Sequence, residues 1–251
     1  MGSADTETNI LNNTDEQDLI AQLPEELQSF CASGKSVMEL AHLVKNIIQM
    51  VSGSVEILEL GLERKQYDRV RRSWDIFEPN FMRLKKFVMD LIKYTKQYPL
   101  QQTECDFNEI VQKGIHSCEH FLKNKQVKLQ LRQDNTIPIV RCDAERLEEM
   151  VGNLVIHALD NLKDQMGEIS IQTHYLPENH QVHLVVGDNG PALSKEAQLQ
   201  LMEPFERTRN MCGTGFDIPL AKLYVEQHDG YMEIDANETL GNHVCVYLPV
   251  K

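Results

Sequence analysis

The chain has 251 residues, 41% of them hydrophobic, enough for one or two ordinary cores. Its 38 acidic against 25 basic residues leave a formal charge of −13, which argues against nucleic acid or an anionic membrane as the main partner. No apolar run approaches the roughly 20 residues that a membrane span requires, so no direct membrane insertion is expected.

Six cysteines (Cys31, Cys105, Cys118, Cys142, Cys212, Cys245) form no C-x-x-C pair, which points to a reduced, cytoplasmic protein. His116-x-Cys118-x-His120 could set two imidazoles on one helical face, but no matching ligand set follows it and no metal site is expected. Met1-Gly2 with Thr6 fits a myristoylation start formally, a pattern short enough to arise by chance.

Residues 1–34 are polar and acidic and read as a flexible lead-in or as a connection to something upstream. From Val37 to Leu62 apolar residues recur at helical spacing, through Leu40, Val44, Ile48, Val51 and Val55. A turn is expected around Gly61–Gln66. A second helical run carries Val70, Trp74, Phe77, Phe81, Leu84, Phe87, Leu91 and Tyr94, and Pro79 should kink or break it. Residues 35–102 thus read as an antiparallel hairpin. One hairpin cannot cover both apolar stripes, so two copies should pair as a dimeric four-helix bundle, with Trp74 and the phenylalanines in its core.

The pattern changes in residues 103–251. Helices are expected at Asn108–Lys125, Asp143–Gln165, Lys195–Met202 and Asp217–His228. Strands are expected at Val127–Leu131, Glu168–His174, His180–Gly187, Tyr231–Asp235 and Val244–Leu248. Helices segregated to one face of a largely antiparallel sheet make an α+β fold, a two-layer sandwich. Within it, Asp188-Asn-Gly190-Pro-Ala follows an apolar run and can present an acceptor to an adenine amino group. Gly213-Thr-Gly215 opens a helix whose free N–H groups can hold phosphate. Bland alternatives stand beside these. His42 can be a rim histidine of the bundle, Asp188 an ordinary turn residue, and Gly213 and Gly215 simple hinges.

Taken in order, these segments resemble the transmitter of a sensor histidine kinase. Ala41-His42-Leu-Val-Lys45-Asn46 resembles the phospho-acceptor box in its H-x-x-K-N form. Leu147 through Asn153 to His157 resembles the N box, and Asp188 to Ala192 the first glycine box. Glu203-Pro204-Phe205 with Thr208-Arg209 resembles the F box and lid, and Gly213 to Asp217 the second glycine box. The resemblance implies a dimeric bundle followed by an ATP-binding domain of the gyrase and heat-shock chaperone type. It also implies ATP with Mg²⁺ as cofactors, transfer of the γ-phosphoryl group to His42 beside Asn46, and onward passage to an aspartate of a response-regulator receiver domain. Asn153, His157, Asp188, Gly190, Arg209, Gly213, Gly215 and Asp217 would surround the nucleotide.

Several positions depart from that pattern. His157 stands where the family carries an Asn that holds Mg²⁺ through oxygen, and imidazole suits hard Mg²⁺ poorly. Leu43 replaces an acidic neighbour of the phospho-acceptor. Ala192 replaces a glycine, which matters only if the backbone there needs positive φ. Asp217 takes the place of the third glycine of G-x-G-x-G, and with Pro219 it makes a helix start. Its carboxylate would meet the triphosphate; like charges about 4 Å apart repel by roughly 1 kcal/mol in water and by several in a partly buried site. ATP binding is therefore expected to be weak or absent. Three readings stay open: a phosphotransferase or relay carrier with an impaired ATP site, an active autophosphorylating kinase, and a non-catalytic dimeric partner of a kinase or regulator.

Overall fold

The computed structural model describes residues 25–96, 98–122, 127–162, 167–203, 215–237 and 241–250, with the side chains of 25–40, 42 and 43 outside the description. The chain divides into two compact units, residues 1–46 and 47–251. Among the described residues, no helix is long and apolar enough to cross a membrane.

Helix α1 runs from Glu25 to Glu63, so the helix starts well before the apolar periodicity that marks it in the sequence. Helix α2 spans Tyr67–Thr95 without interruption, and the break expected at Pro79 does not occur. A proline removes one donor from the ladder, and the helix continues around it, with Asn80 Nδ2 donating to Ile76 O at 2.8 Å. The connection is tight. Lys65 takes φ 53°, Gln66 N donates to Gly61 O, and Ser73 Oγ donates to Ser54 O at 2.6 Å across the pair.

Trp74 and Phe81 remain about half exposed in the single chain. Phe87 turns elsewhere than the bundle core expected for it. It is buried, and its ring lies 5.7 Å from that of Phe216.

The remainder is the expected sandwich. Strands β1 (Thr103–Cys105) and β3 (Val140–Cys142), which no periodicity announced, form a two-stranded antiparallel ribbon. The main sheet has the order β2-β4-β5-β7-β6, from β2 (Val127–Arg132), β4 (Gly167–Leu176), β5 (Gln181–Asp188), β6 (Tyr231–Asn237) and β7 (Gly241–Pro249). Only the β2–β4 pair is parallel.

Helix α3 covers Phe107–Ser117, and the short α4 (Glu119–Leu122) follows instead of a single helix to Lys125. Helix α5 (Ala144–Asn161) is capped by Asp143, α6 is Lys195–Leu201, and α7 is Asp217–Gln227. The inward residues of the strands, such as Ile171, Leu184 and Val246, meet Leu147, Leu154 and Leu220 of the helices in one continuous core. Cys118 belongs to that core, its Sγ donating to Gly152 O, while His116 pairs with Glu119 at 2.9 Å.

Two side chains clamp the passage from α2 into the sandwich. Asp143 caps α5 through Oδ1 and accepts Gln101 N at 2.8 Å through Oδ2. Arg146 donates to the carbonyls of Tyr98 and Pro99 and to Gln227 Oε1.

Candidate functional site

Helix α5 is the spine of the site. Nearly every residue from Met150 to Asp160 is buried, so its polar positions are enclosed and must find partners or ligands. Asn153, His157 and Asn161 recur every fourth residue and share one face. At the Asn161 end, β5 terminates in Asp188, 5% exposed. Asp188 Oδ1 accepts three hydrogen bonds, from Asn161 Nδ2 (2.7 Å), Gly190 N (2.9 Å) and Asn242 Nδ2 (3.0 Å). Oδ2 accepts none among the described residues, which leaves one oxygen for a ligand.

Asn161 and Asn242 also donate to Pro191 O, pinning the loop in place. Gly190 is required by this close approach, because a Cβ there would lie 2.7 Å from Asn161 Nδ2 and 2.8 Å from Asp188 Oδ1. Gly241 is required more strongly: its φ is +82°, and a Cβ would come within 1.9 Å of Asp188 O. Ala192 does not adopt positive φ, so its replacement of glycine costs the backbone nothing.

At the other end, α7 begins with Asp217, 4% exposed. Its carboxylate does not stand alone. Lys86 of α2 reaches across, with Nζ 2.9 Å from Asp217 Oδ1, 2.7 Å from Asp90 Oδ2 and 3.4 Å from Asn153 Oδ1. Burial pulls the Lys86 pKa down, but Asp217 and Asp90 outweigh it and hold it above the ordinary lysine value. The ammonium is therefore fully charged at neutral pH. Asn153 is enclosed, and its Nδ2 is buried without a partner among the described residues.

His157 lies one turn along from Asn153 and is also buried. Desolvation lowers its pKa, opposed by the charges of Asp188 and Asp217, so it is a neutral imidazole that feels both ends of the crevice. Phe216, fully buried, packs its ring between Phe87 and Tyr94 of α2 at 5.7 and 5.6 Å. A second contact lies farther along α2, where Lys93 Nζ binds Glu149 at 2.7 Å and Glu149 accepts Tyr224 OH at 2.9 Å.

Asn153 and His157 thus share one buried face of α5, joined to Asp188 and Gly190 through Asn161 at one end and to Asp217 through Lys86 at the other. Gly215, with φ 79°, stands two residues before Asp217. Arg209 and Gly213 lie outside the described residues. His42 is on α1, its side chain outside the description; Asn46 is exposed on the same helix. Sequence reasoning missed Asn161, Asn242, Lys86 and Asp90. Asn161 could have been found from its spacing, since it continues the face of Asn153 and His157.

Residues 142–251 match the family described as histidine kinase-, DNA gyrase B-, and HSP90-like ATPase. The chain is also similar to sensor histidine kinase ZraS of Escherichia coli (strain K12), 22% identical over 89% of this chain and 47% of the relative. Residues 142–251 thus carry a domain of that ATPase family, and the chain as a whole resembles histidine kinase transmitters. It is 25% identical to the sensory histidine kinase/phosphatase NtrB of Vibrio alginolyticus, over 85% of this chain and 61% of the relative. It spans about half the length of these curated relatives. Its fold matches that of histidine kinase ThkA, solved in complex with response regulator protein TrrA. The TM-score is 0.67 at 19% identity, covering 97% of this chain and 68% of that one.

Toward a hard cation such as the Mg²⁺ that the resemblance implies, this face offers the amide oxygen of Asn153, 3.4 Å from the Lys86 ammonium, and an imidazole of His157 where such a cation takes oxygen.

Proposed function

We propose that this transmitter carries phosphate through His42 to the aspartate of a response-regulator receiver domain, with a nucleotide site too impaired to drive the reaction efficiently. The observation that carries this reading is the pairing of Asp217 with Lys86, which puts an anion and its own counter-ion where a triphosphate would need free N–H groups. A receiver partner is supported by the resemblance to a kinase solved with a response regulator.

In this reading residues 1–34 lead in, residues 35–102 form the phosphotransfer hairpin, and residues 103–251 form the ATPase-type domain, all in the cytoplasm. The protein acts as a homodimer. Ile48, Leu62, Trp74 and Phe81 are exposed on a single hairpin, and a second copy would cover them in a four-helix bundle.

The test is incubation with a phosphorylated receiver domain. Wild-type protein should take up the label and His42→Ala should not; label that persists without His42 removes the reading. A second reading, an ATP-dependent autophosphorylating kinase, is favoured by the intact Asp188 end, where a fixed carboxylate still has an oxygen for an adenine amine. Labelling of His42 by Mg-ATP alone, at micromolar nucleotide, would establish it instead.

A further inference from the structure

We infer that the ammonium of Lys86, and not a divalent metal ion, is the phosphate-neutralising cation of this crevice, so that a phosphate-bearing ligand binds here without metal. The inference rests on the reading of the crevice as a nucleotide site and names the group that meets the phosphates.

Three observations lead to it. First, Lys86 Nζ is already surrounded as a cation, by one oxygen each from Asp90, Asp217 and Asn153. An ammonium has three hydrogens, and three acceptors complete it. Second, an ammonium only donates, so it fixes the orientation of the Asn153 amide with oxygen towards Nζ. The amide oxygen therefore faces a cation, and the other end of the amide is Nδ2, a buried donor with no partner among the described residues. A free N–H repels a cation and suits a phosphate oxygen. Third, the position one turn along α5 is a neutral imidazole, kept so by burial, and Mg²⁺ prefers oxygen.

At rest Lys86 is already met by two carboxylates, Asp90 and Asp217. Asp217 supplies the negative charge that a phosphate group would otherwise bring to Lys86, and a ligand must displace that carboxylate. Lys86 belongs to α2, so the cation comes from the helical hairpin and not from the ATPase-type domain. Phosphate engagement and the seating of α2 on α5 and α7 then draw on one side chain.

The test uses the full chain and calorimetric titration with ADP, adenosine and inorganic pyrophosphate, each in excess Mg²⁺ and in EDTA. Removing the competing carboxylate by Asp217→Gly, with Asp217→Asn as a helix-preserving second variant, should tighten ADP and pyrophosphate binding at least tenfold, equally in Mg²⁺ and in EDTA. Adding Lys86→Met should abolish the gain, and Lys86→Arg should retain most of it. Thermal melts establish that each variant is folded, and Asp90→Asn is combined with Lys86→Met if that variant melts below the assay temperature.

A gain that requires Mg²⁺, or that survives Lys86→Met, overturns the inference. If adenosine binds and the phosphates of ADP add nothing, the nucleotide reading stands and the inference fails. If pyrophosphate binds through Lys86 while neither adenosine nor ADP does better, the nucleotide reading fails and the inference stands. Absence of all binding in both Asp217 variants sinks both.

Discussion

Replacing Lys86 by methionine tests how much the buried charge cluster contributes to holding α2 against the sandwich. The substitution keeps an unbranched side chain one atom shorter and removes its charge. The side chains of Asp90 and Asp217 are 3% and 4% exposed, and that of Lys86 27%. Removing one partner of a buried pair costs about 3–5 kcal/mol, because the remaining charge stays desolvated. Lys86 is partly solvated, so the lower end applies, about 3 kcal/mol. With a urea dependence of about 2 kcal/mol per molar, the midpoint should fall by roughly 1.5 M.

The pH window follows from the sign of the shift. The folded-state pKa of Lys86 is raised, so its stabilisation is fully present below the unfolded lysine value and lost only as pH rises through the folded one. Measurements at pH 7 therefore report the whole effect. Urea unfolding followed by circular dichroism should show the loss in Lys86→Met. The triple variant Lys86→Met, Asp90→Asn, Asp217→Asn should recover most of it, since no carboxylate of the cluster then remains charged. A loss below about 1 kcal/mol, or a triple variant no better than the single one, would refute the reasoning.

Asn242→Ala removes one of three donors to a buried carboxylate oxygen and should cost about 1–3 kcal/mol, read as a lower melting temperature. Phe216→Ala empties the space between Phe87 and Tyr94 and should cost about 3–5 kcal/mol, with faster amide exchange in residues 84–95 as its local signature. His157 and His228 both have lowered pKa values, chiefly from burial. The unfolded chain then protonates first, so stability is unaffected above about pH 6.5 and falls below it, by up to about 1.4 kcal/mol per pH unit for each histidine. Urea midpoints between pH 7.5 and 5.5 should show this slope, and His157→Asn should reduce it by one histidine's share.

The sandwich was legible because its strands alternate and its helices repeat at 3.6, and the glycine-flanked Asp188 was legible because turn chemistry is local. Three things were not. β1 and β3 have three residues each, too short for any period to show. Pro79 argues locally for a break, and the surrounding helix overrides it. The partnership of Lys86 with Asp217 joins residues 131 apart in sequence. From the sequence, Phe87 reads as part of the apolar stripe of a bundle helix, and nothing marks Lys86 or Asp90 beside it. That α2 has a second face, seated on α5 and α7, only the tertiary arrangement reveals.

The clamp that Asp143 and Arg146 close around residues 98–101 turns what looks like a tether into a strut. Residues 98, 99 and 101 are held by the same two side chains that start α5. Asn153 lies ten residues beyond Asp143, about 15 Å along a rigid rod. Loosening that grip, as in Arg146→Ala, would free residues 98 and 99 from the base of the rod that carries the polar face of Asn153, His157 and Asn161.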